Sequence, residues 1–370
     1  MALPTTEIFL RSPYWVTTTE TDLDYVLCEL RVWTGDLSAE PAYPDVKLRS
    51  TGLNDTTSID IAEFARDYVE VMFGGVADSN AVFISYQLYI YAAGQTTDPT
   101  PETRVYLTGL DGYGTFQDGV NFQWSNQVMV SDNITTAYHE SNVRIPVLQN
   151  NFTGYKLQEY AAGYGGAFST FHTVTGLTPV ENTSNMIKHI SSSSAGKYAD
   201  RIVFEFSGSS DEIVDILYSD CSKYGNTRVY FVNRLGCTQE IHFKGRFDVS
   251  MKSKGSQYKR NLLSNGSYNN TRHQDYTLNR NGNIKMSLNT GWVNESENDT
   301  FIEMMMSEQV WIQVDSSKLG VGWIPKQSSL WTVPVTVKSN SSEIKNKVND
   351  KLINYSFEFE AAHDWINTVR

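Results

Sequence analysis

Tyr355-Ser-Phe-Glu-Phe-Glu360 alternates strictly, with Tyr355, Phe357 and Phe359 on one side of an extended chain and Ser356, Glu358 and Glu360 on the other. A half-buried strand sorts residues this way; a helix would scatter the aromatics around its circumference. The same β-rich character recurs at 14–18, 25–33, 82–91, 104–107, 143–148, 201–206, 227–232, 241–249, 310–314, 331–337 and 354–360. Short strands at close spacing, without intervening helices of crossover length, predict a mainly β chain of antiparallel β-sandwich-like domains. With 12% aromatic residues, 21 of them Tyr, the composition suits pleated surfaces.

Two short helices interrupt the pattern. From Ile61, the residues Phe64, Ala65, Tyr68 and Met72 repeat at helical spacing, which predicts a helix near 60–73. Asp60 and Glu63 form a capping pair at its start, and Gly74-Gly75 ends it. A second helix is expected over 298–306, with Asp299 at its start and Phe301, Met304 and Met305 on its apolar side.

At 370 residues the chain is long enough for two domains. Ser191-Ser-Ser-Ser-Ala-Gly196 is small, polar and flexible in character, so domains are expected over 1–190 and 197–370 with a linker at 191–196. A second stretch, Ser264 to Arg272, is dense in Asn, Ser and Gly and reads as a long loop or arm. The first residues carry neither a basic nor an apolar segment, so no secretory signal is expected. Cys28, Cys221 and Cys237 form no CxxC pair and suit a reducing compartment. Sequons recur, among them those at Asn133, Asn265, Asn294 and Asn354, and are attributed to a chain rich in Asn, Ser and Thr.

No catalytic, cofactor or metal signature emerges. His139, His172, His189, His242, His273 and His363 show no metal-ligand spacing, and His139-Glu140 reads as a surface pair. Nucleophile-elbow, P-loop and dinucleotide fingerprints are missing. Asp111-Gly-Tyr-Gly-Thr-Phe-Gln-Asp118-Gly119 lacks oxygen ligands at the positions a calcium loop requires, and reads as turn chemistry. The expectation is a protein that is not an enzyme, with no cofactor and no metal. Spatial pairs of carboxylates, which a glycan hydrolase would need, cannot be read from one sequence.

Charge patterning points to a partner. The chain carries a net charge of −12, which opposes general nucleic-acid binding. Yet Lys244, Arg246, Lys252, Lys254, Lys259, Arg260 and Arg272 are set against the single Asp248. These seven residues are the candidate contact with an acidic partner, including other copies of the chain; the competing reading is a solvated strand face. Trp124, Trp292 and Trp323 support an alternative, a carbohydrate-binding β-sandwich for host surface recognition.

Six phrases occur in order: Ile8–Val16, Val32–Asp36, Ile59–Tyr68, Leu110–Gly119, Arg228–Gly236 and Leu352–Glu360. Together they resemble virion structural proteins of tailed bacteriophages, including marine and crAss-like phages. The resemblance spans most of the chain and implies a tail, baseplate, collar or ring component, partnered by its own copies and other virion proteins. It implies a virion location after folding and assembly in the host cytoplasm, and it brings no active-site residues.

Overall fold

The computed structural model describes residues 6–52, 55–69, 77–78, 81–138, 141–161, 166–180, 183–219, 226–315, 330–339 and 352–366. The fold is mainly β, with several antiparallel sheets and a few short helices. Two compact units form. The first comprises Met1–Ser219, Phe231–Glu240 and Asp299–Ser307; the second comprises Asp220–Tyr230, Ile241–Asn298 and Glu308–Arg370.

In the first unit a five-stranded sheet runs in the order Glu7–Phe9, Val105–Leu110, Ala81–Ala92, Leu23–Trp33, Val46–Thr51, its first pair parallel. Val26, Cys28, Leu30 and Val32 alternate onto one face, where Ile59, Ile61, Ala62 and Ala65 cover them. A second five-stranded sheet runs in the order Phe168–Val174, Phe152–Tyr160, Arg201–Phe206, Glu212–Ser219, Ile134–Tyr138. Its Phe152, Leu157, Ile202 and Phe204 share a core with Ile145, Val147 and Ile190 of the Arg144–Leu148/Ile187–Ser191 pair. Two apolar faces closed on each other in this way make a sandwich.

The expected linker lies inside this unit. Ser192 is fully buried, its Oγ accepting from the Val143 N–H at 2.9 Å, and Ser191 Oγ donates to Asn142 Oδ1 at 2.7 Å. Ser193–Ser194 and Lys197–Tyr198 then form a tight hairpin through Ala195 and Gly196, both at positive φ. These serines are small and polar because they close backbone hydrogen bonds, so composition alone mistook them for a boundary. The first helix is likewise shorter than expected, Ala62–Arg66. It buries Ile61, Ala62 and Ala65 while Phe64 and Tyr68 are exposed. Met72 and Gly74-Gly75 lie outside the described residues.

A seven-stranded sheet runs in the order Thr238–Phe243, Thr227–Val232, Val310–Asp315, Leu330–Val337, Leu352–Ala361, Asp275–Asn294, Phe247–Lys259; it organises the second unit, with residues 231–232 and 238–240 of its first two strands counted in the first. Leu352–Ala361 is an interior strand, and its Phe357 and Phe359 are fully buried. Phe243 meets both rings edge-on, with centroids 6.0 and 6.1 Å apart. The expected strand 241–249 is two strands. Lys244 and Gly245 leave the ladder to pair with Thr290 and Asn289.

Two measurements test these cores. Phe357→Ala should cost about 3–5 kcal/mol in a denaturant titration, the range for emptying a buried phenylalanine site. Asn233→Leu should cost about 3 kcal/mol or more despite its similar volume, because the buried N–H groups that Asn233 Oδ1 accepts would be stranded.

Candidate functional site

Phe247–Lys259 is the edge strand of its sheet, and among the described residues only Asp275–Asn294 pairs with it. Asp275–Asn294 pairs with the next strand inward only from Lys285 onward. The segments 251–259 and 275–283 therefore continue as a two-stranded ribbon, roughly 30 Å long at about 3.4 Å per residue. Three local devices set its shape. Asn265-Gly266, both at positive φ, close the tip between Ser264 and Ser267, as a type I′ turn requires. A bulge places Asn279, at φ +49°, and Arg280 opposite Gly255, where a Cβ would come within 3.3 Å of Arg280 Cα. At the root, Trp365 N–H donates to Gly282 O at 2.8 Å and Ile366 N–H to Asn281 Oδ1 at 2.9 Å.

Strand alternation sorts the ribbon's side chains. Lys252, Lys254, Tyr258 and Arg260 share one face, joined across the ladder by Leu278 and Tyr276. The Tyr258 and Tyr276 rings lie 5.4 Å apart, and the Arg260 guanidinium sits 5.6 Å from the Tyr276 centroid. All three apolar side chains on this face are more than 40% exposed. The reverse face pairs Lys259 with Asp275 in register and Arg280 Nε with Ser253 Oγ at 3.2 Å. Residues 249–284 hold six Lys or Arg and one Asp, a net +5, so the rest of the chain carries −17.

Of the seven residues expected to form one basic contact, three share this face. Lys244 is 3% exposed and does not belong to the surface, because residues 244–245 are drawn into the sheet beside Thr290. Arg246 is committed to Asp248 at 2.8 Å. Lys259 lies on the reverse face and Arg272 in the loop before the return strand. The stretch 264–272, expected as a loop or arm, is the turn-rich connection at the ribbon's end; the return strand beyond it, with Tyr276, Leu278 and Arg280, was not among the expected strands. Tyr276 and Leu278 keep the even-numbered spacing of Ile284, Met286 and Leu288, but the one-residue bulge turns them to the opposite face, so alternation alone would have placed them with the core. Among the tryptophans named for glycan stacking, Trp292 is exposed, Trp124 packs against Arg234 at 5.3 Å, and Trp323 lies outside the described residues.

Burial raises two carboxyls of the first unit, Glu303 and Asp132. Glu303, on the helix Asn298–Met306, is 4% exposed; it accepts from Ser131 Oγ and, at 3.3 Å, from Arg234 N–H, with Arg234 Nε 3.8 Å away. Burial pushes its carboxyl up to about 7. Asp132 accepts from the Thr300 N–H at 2.9 Å, capping the helix start, and burial raises its carboxyl too. Glu303 thus occupies the buried face where Met305 was expected. Asp111–Gly119 is no hairpin but part of a longer connection, with a 3-10 turn at Phe116–Asp118 closed by Thr115 and Asp118. Asp118 Oδ2 lies 4.0 Å from Arg234 Nη1. Elsewhere Glu40 accepts hydrogen bonds from Arg31, Arg104, Ser85 and Tyr106 and ties their strands together. Cys28 and Cys237 are buried thiols, with Cys28 pushed up to about 12 by burial; Cys221 and His139-Glu140 lie outside the described residues. Among the described residues no three His, Cys, Asp or Glu side chains gather as a metal ion would require, and no helix is long and apolar enough to cross a membrane.

No family model and no curated protein matches the chain. Among solved structures it is similar to the crystal structure of CBD12 from CALX1.2, at 9% identity and a TM-score of 0.18, covering 55% of this chain and 78% of that one. A likeness that distant carries no argument about fold or function.

Glu303 gives a pH signature of defined sign. Below about 4.5, the ordinary glutamate value, folded and unfolded chains both keep the proton. Above it the unfolded chain releases its proton first, so stability falls until the folded carboxyl ionises near 7. The loss is on the order of 3 kcal/mol. Denaturant midpoints at about pH 5 and pH 8.5 should show it, and Glu303→Gln should flatten that difference.

Proposed function

We propose that the chain is a non-enzymatic structural subunit of a bacteriophage virion, a tail, baseplate, collar or ring component that folds and assembles in the host cytoplasm. The observation that carries this reading is the ribbon 251–283: a projecting, two-stranded arm with exposed tyrosines, leucine and cations in a chain otherwise rich in carboxylates. An isolated two-stranded ribbon is only marginally stable, and exposed apolar groups clustered on one mark a binding surface. Repeating assemblies join unlike surfaces head to tail, which this division of charge suits. The order of phrases resembling tailed-phage virion proteins narrows assembly in general to a virion. The strongly shifted carboxyl, Glu303, is enclosed by Ser131 and Arg234 and seats a helix, which supports a structural role over catalysis.

Antibody raised against the purified chain should decorate intact phage particles at one axial position in electron micrographs. Detection of the chain in infected cells but not in purified particles would overturn the reading.

A further inference from the structure

We infer that the ribbon face bearing Lys252, Lys254, Arg260, Tyr258, Tyr276 and Leu278 docks on the acidic surface of a second copy of this chain. The inference rests on the assembly reading above and names its partner. It draws on charge, on sign and on what the face leaves unpaired.

Charge comes first. The arm holds +5 while the remainder of the chain holds −17, so two copies repel over most of their surfaces and attract where one arm meets the body of the next. Lys252 and Lys254 have no carboxylate partner among the described residues, and Arg260 uses its Nε on His273 O at 3.0 Å. The acidic Asp275 lies on the reverse face, and Asp248, near the root, is taken by Arg246. The face thus presents cations unopposed beside three half-exposed apolar side chains, a combination that favours a partner both acidic and able to cover an apolar strip.

Sign separates docking from simple edge protection. Lysines on an edge strand also prevent strand-to-strand aggregation, but a charge of either sign does that. Docking on an acidic copy requires positive charge. Replacement of lysine by glutamate keeps the edge protected and reverses the docking, so the two roles give opposite outcomes. A nucleic acid is the less favoured partner. Three cations would neutralise about three phosphates, a weak contribution that falls with salt, against repulsion from the rest of the chain.

The test uses the full-length purified chain in sedimentation velocity at about 50 mM and about 500 mM salt, where the screening length shrinks severalfold. The unaltered chain should self-associate at low salt and dissociate at high salt. The triple variant Lys252→Glu, Lys254→Glu, Arg260→Glu should keep its melting temperature, since all three are surface positions, and associate at least about tenfold more weakly. The neutral triple variant, with Gln at each position, should fall between them and serves if the charge-reversed chain fails to fold. Equal association of the folded variants and the parent would overturn the inference. So would a parent that stays monomeric at low salt; if that chain were still found in particles, the arm's partner would be another virion protein and the assembly reading would stand. Retardation of a DNA duplex that the triple variant abolishes, without self-association, would assign the face to nucleic acid and likewise overturn the inference.

Discussion

The side-chain amide of Asn233 makes four hydrogen bonds in a position without solvent access. Its Nδ2 donates to Met129 O at 2.8 Å and Gln239 Oε1 at 3.0 Å, while its Oδ1 accepts from the N–H groups of Leu235 at 3.1 Å and Cys237 at 3.0 Å. This uses the donor and acceptor capacity of a primary amide at both ends. The turn that follows is therefore fixed from within. Gly236 takes φ +79°, and a Cβ there would meet the Asp111 backbone at 2.8 Å. Gly112 is equally constrained, since a Cβ on it would lie 2.5 Å from Arg234 O. Two backbones can touch here because both approach points are glycine.

Much of the first unit's polar interior follows from that contact. Tyr113 N–H donates to Arg234 O at 2.7 Å, which sets the start of the Arg234 side chain. Its guanidinium then reaches Phe122 and Trp124, each at 5.3 Å, and lies near Asp118 and Glu303. Arg11 N–H donates to Gly112 O at 2.8 Å, and Arg66 lies 3.9 Å from Asp111. Four segments, Ile8–Val16, Ile59–Tyr68, Leu110–Gly119 and the end of Arg228–Gly236, thus meet around one buried turn. Where they meet, their residues are set by backbone approach and hydrogen-bond closure.

Strands whose apolar face is buried were legible, as Tyr355–Glu360 and Arg201–Phe206 show, because period-two alternation records burial directly. The helix 298–306 was also legible in extent, but Glu303 on its buried face was not. Its partners Ser131 and Arg234 are about 170 and 70 positions away in sequence, and no local pattern announces a carboxyl held by such distant groups. Serines 191–194 misled in the same manner, and the strand from Asp275 went unread. Polar residues that serve a ladder or a buried hydrogen bond look, in composition, like residues that serve a loop. The basic run was visible as charge, yet its division into a buried Lys244, a paired Arg246 and a clustered Lys252, Lys254 and Arg260 depends on register. Register is set by the bulge at Asn279 and by the return to Thr290.

The arm is held by a different economy from the rest of the chain. Where the sheet interior relies on buried phenylalanines, the ribbon relies on an Asn-Gly turn, one bulge and a two-residue strap from the C-terminal segment. None of these buries an apolar face, so the ribbon's exposed side chains are left available to a neighbour. Rim ion pairs of the kind Lys252, Lys254 and Arg260 can form contribute about 0–1 kcal/mol each and weaken with salt. A single arm contact would accordingly be weak, and the apolar strip of Tyr258, Tyr276 and Leu278 would have to supply most of its affinity. In a closed ring of the kind proposed, every copy would both give an arm and receive one, and the last contact would form without a further loss of free translation. Weak contacts of this type let wrongly placed subunits leave, while closure retains the correct ones.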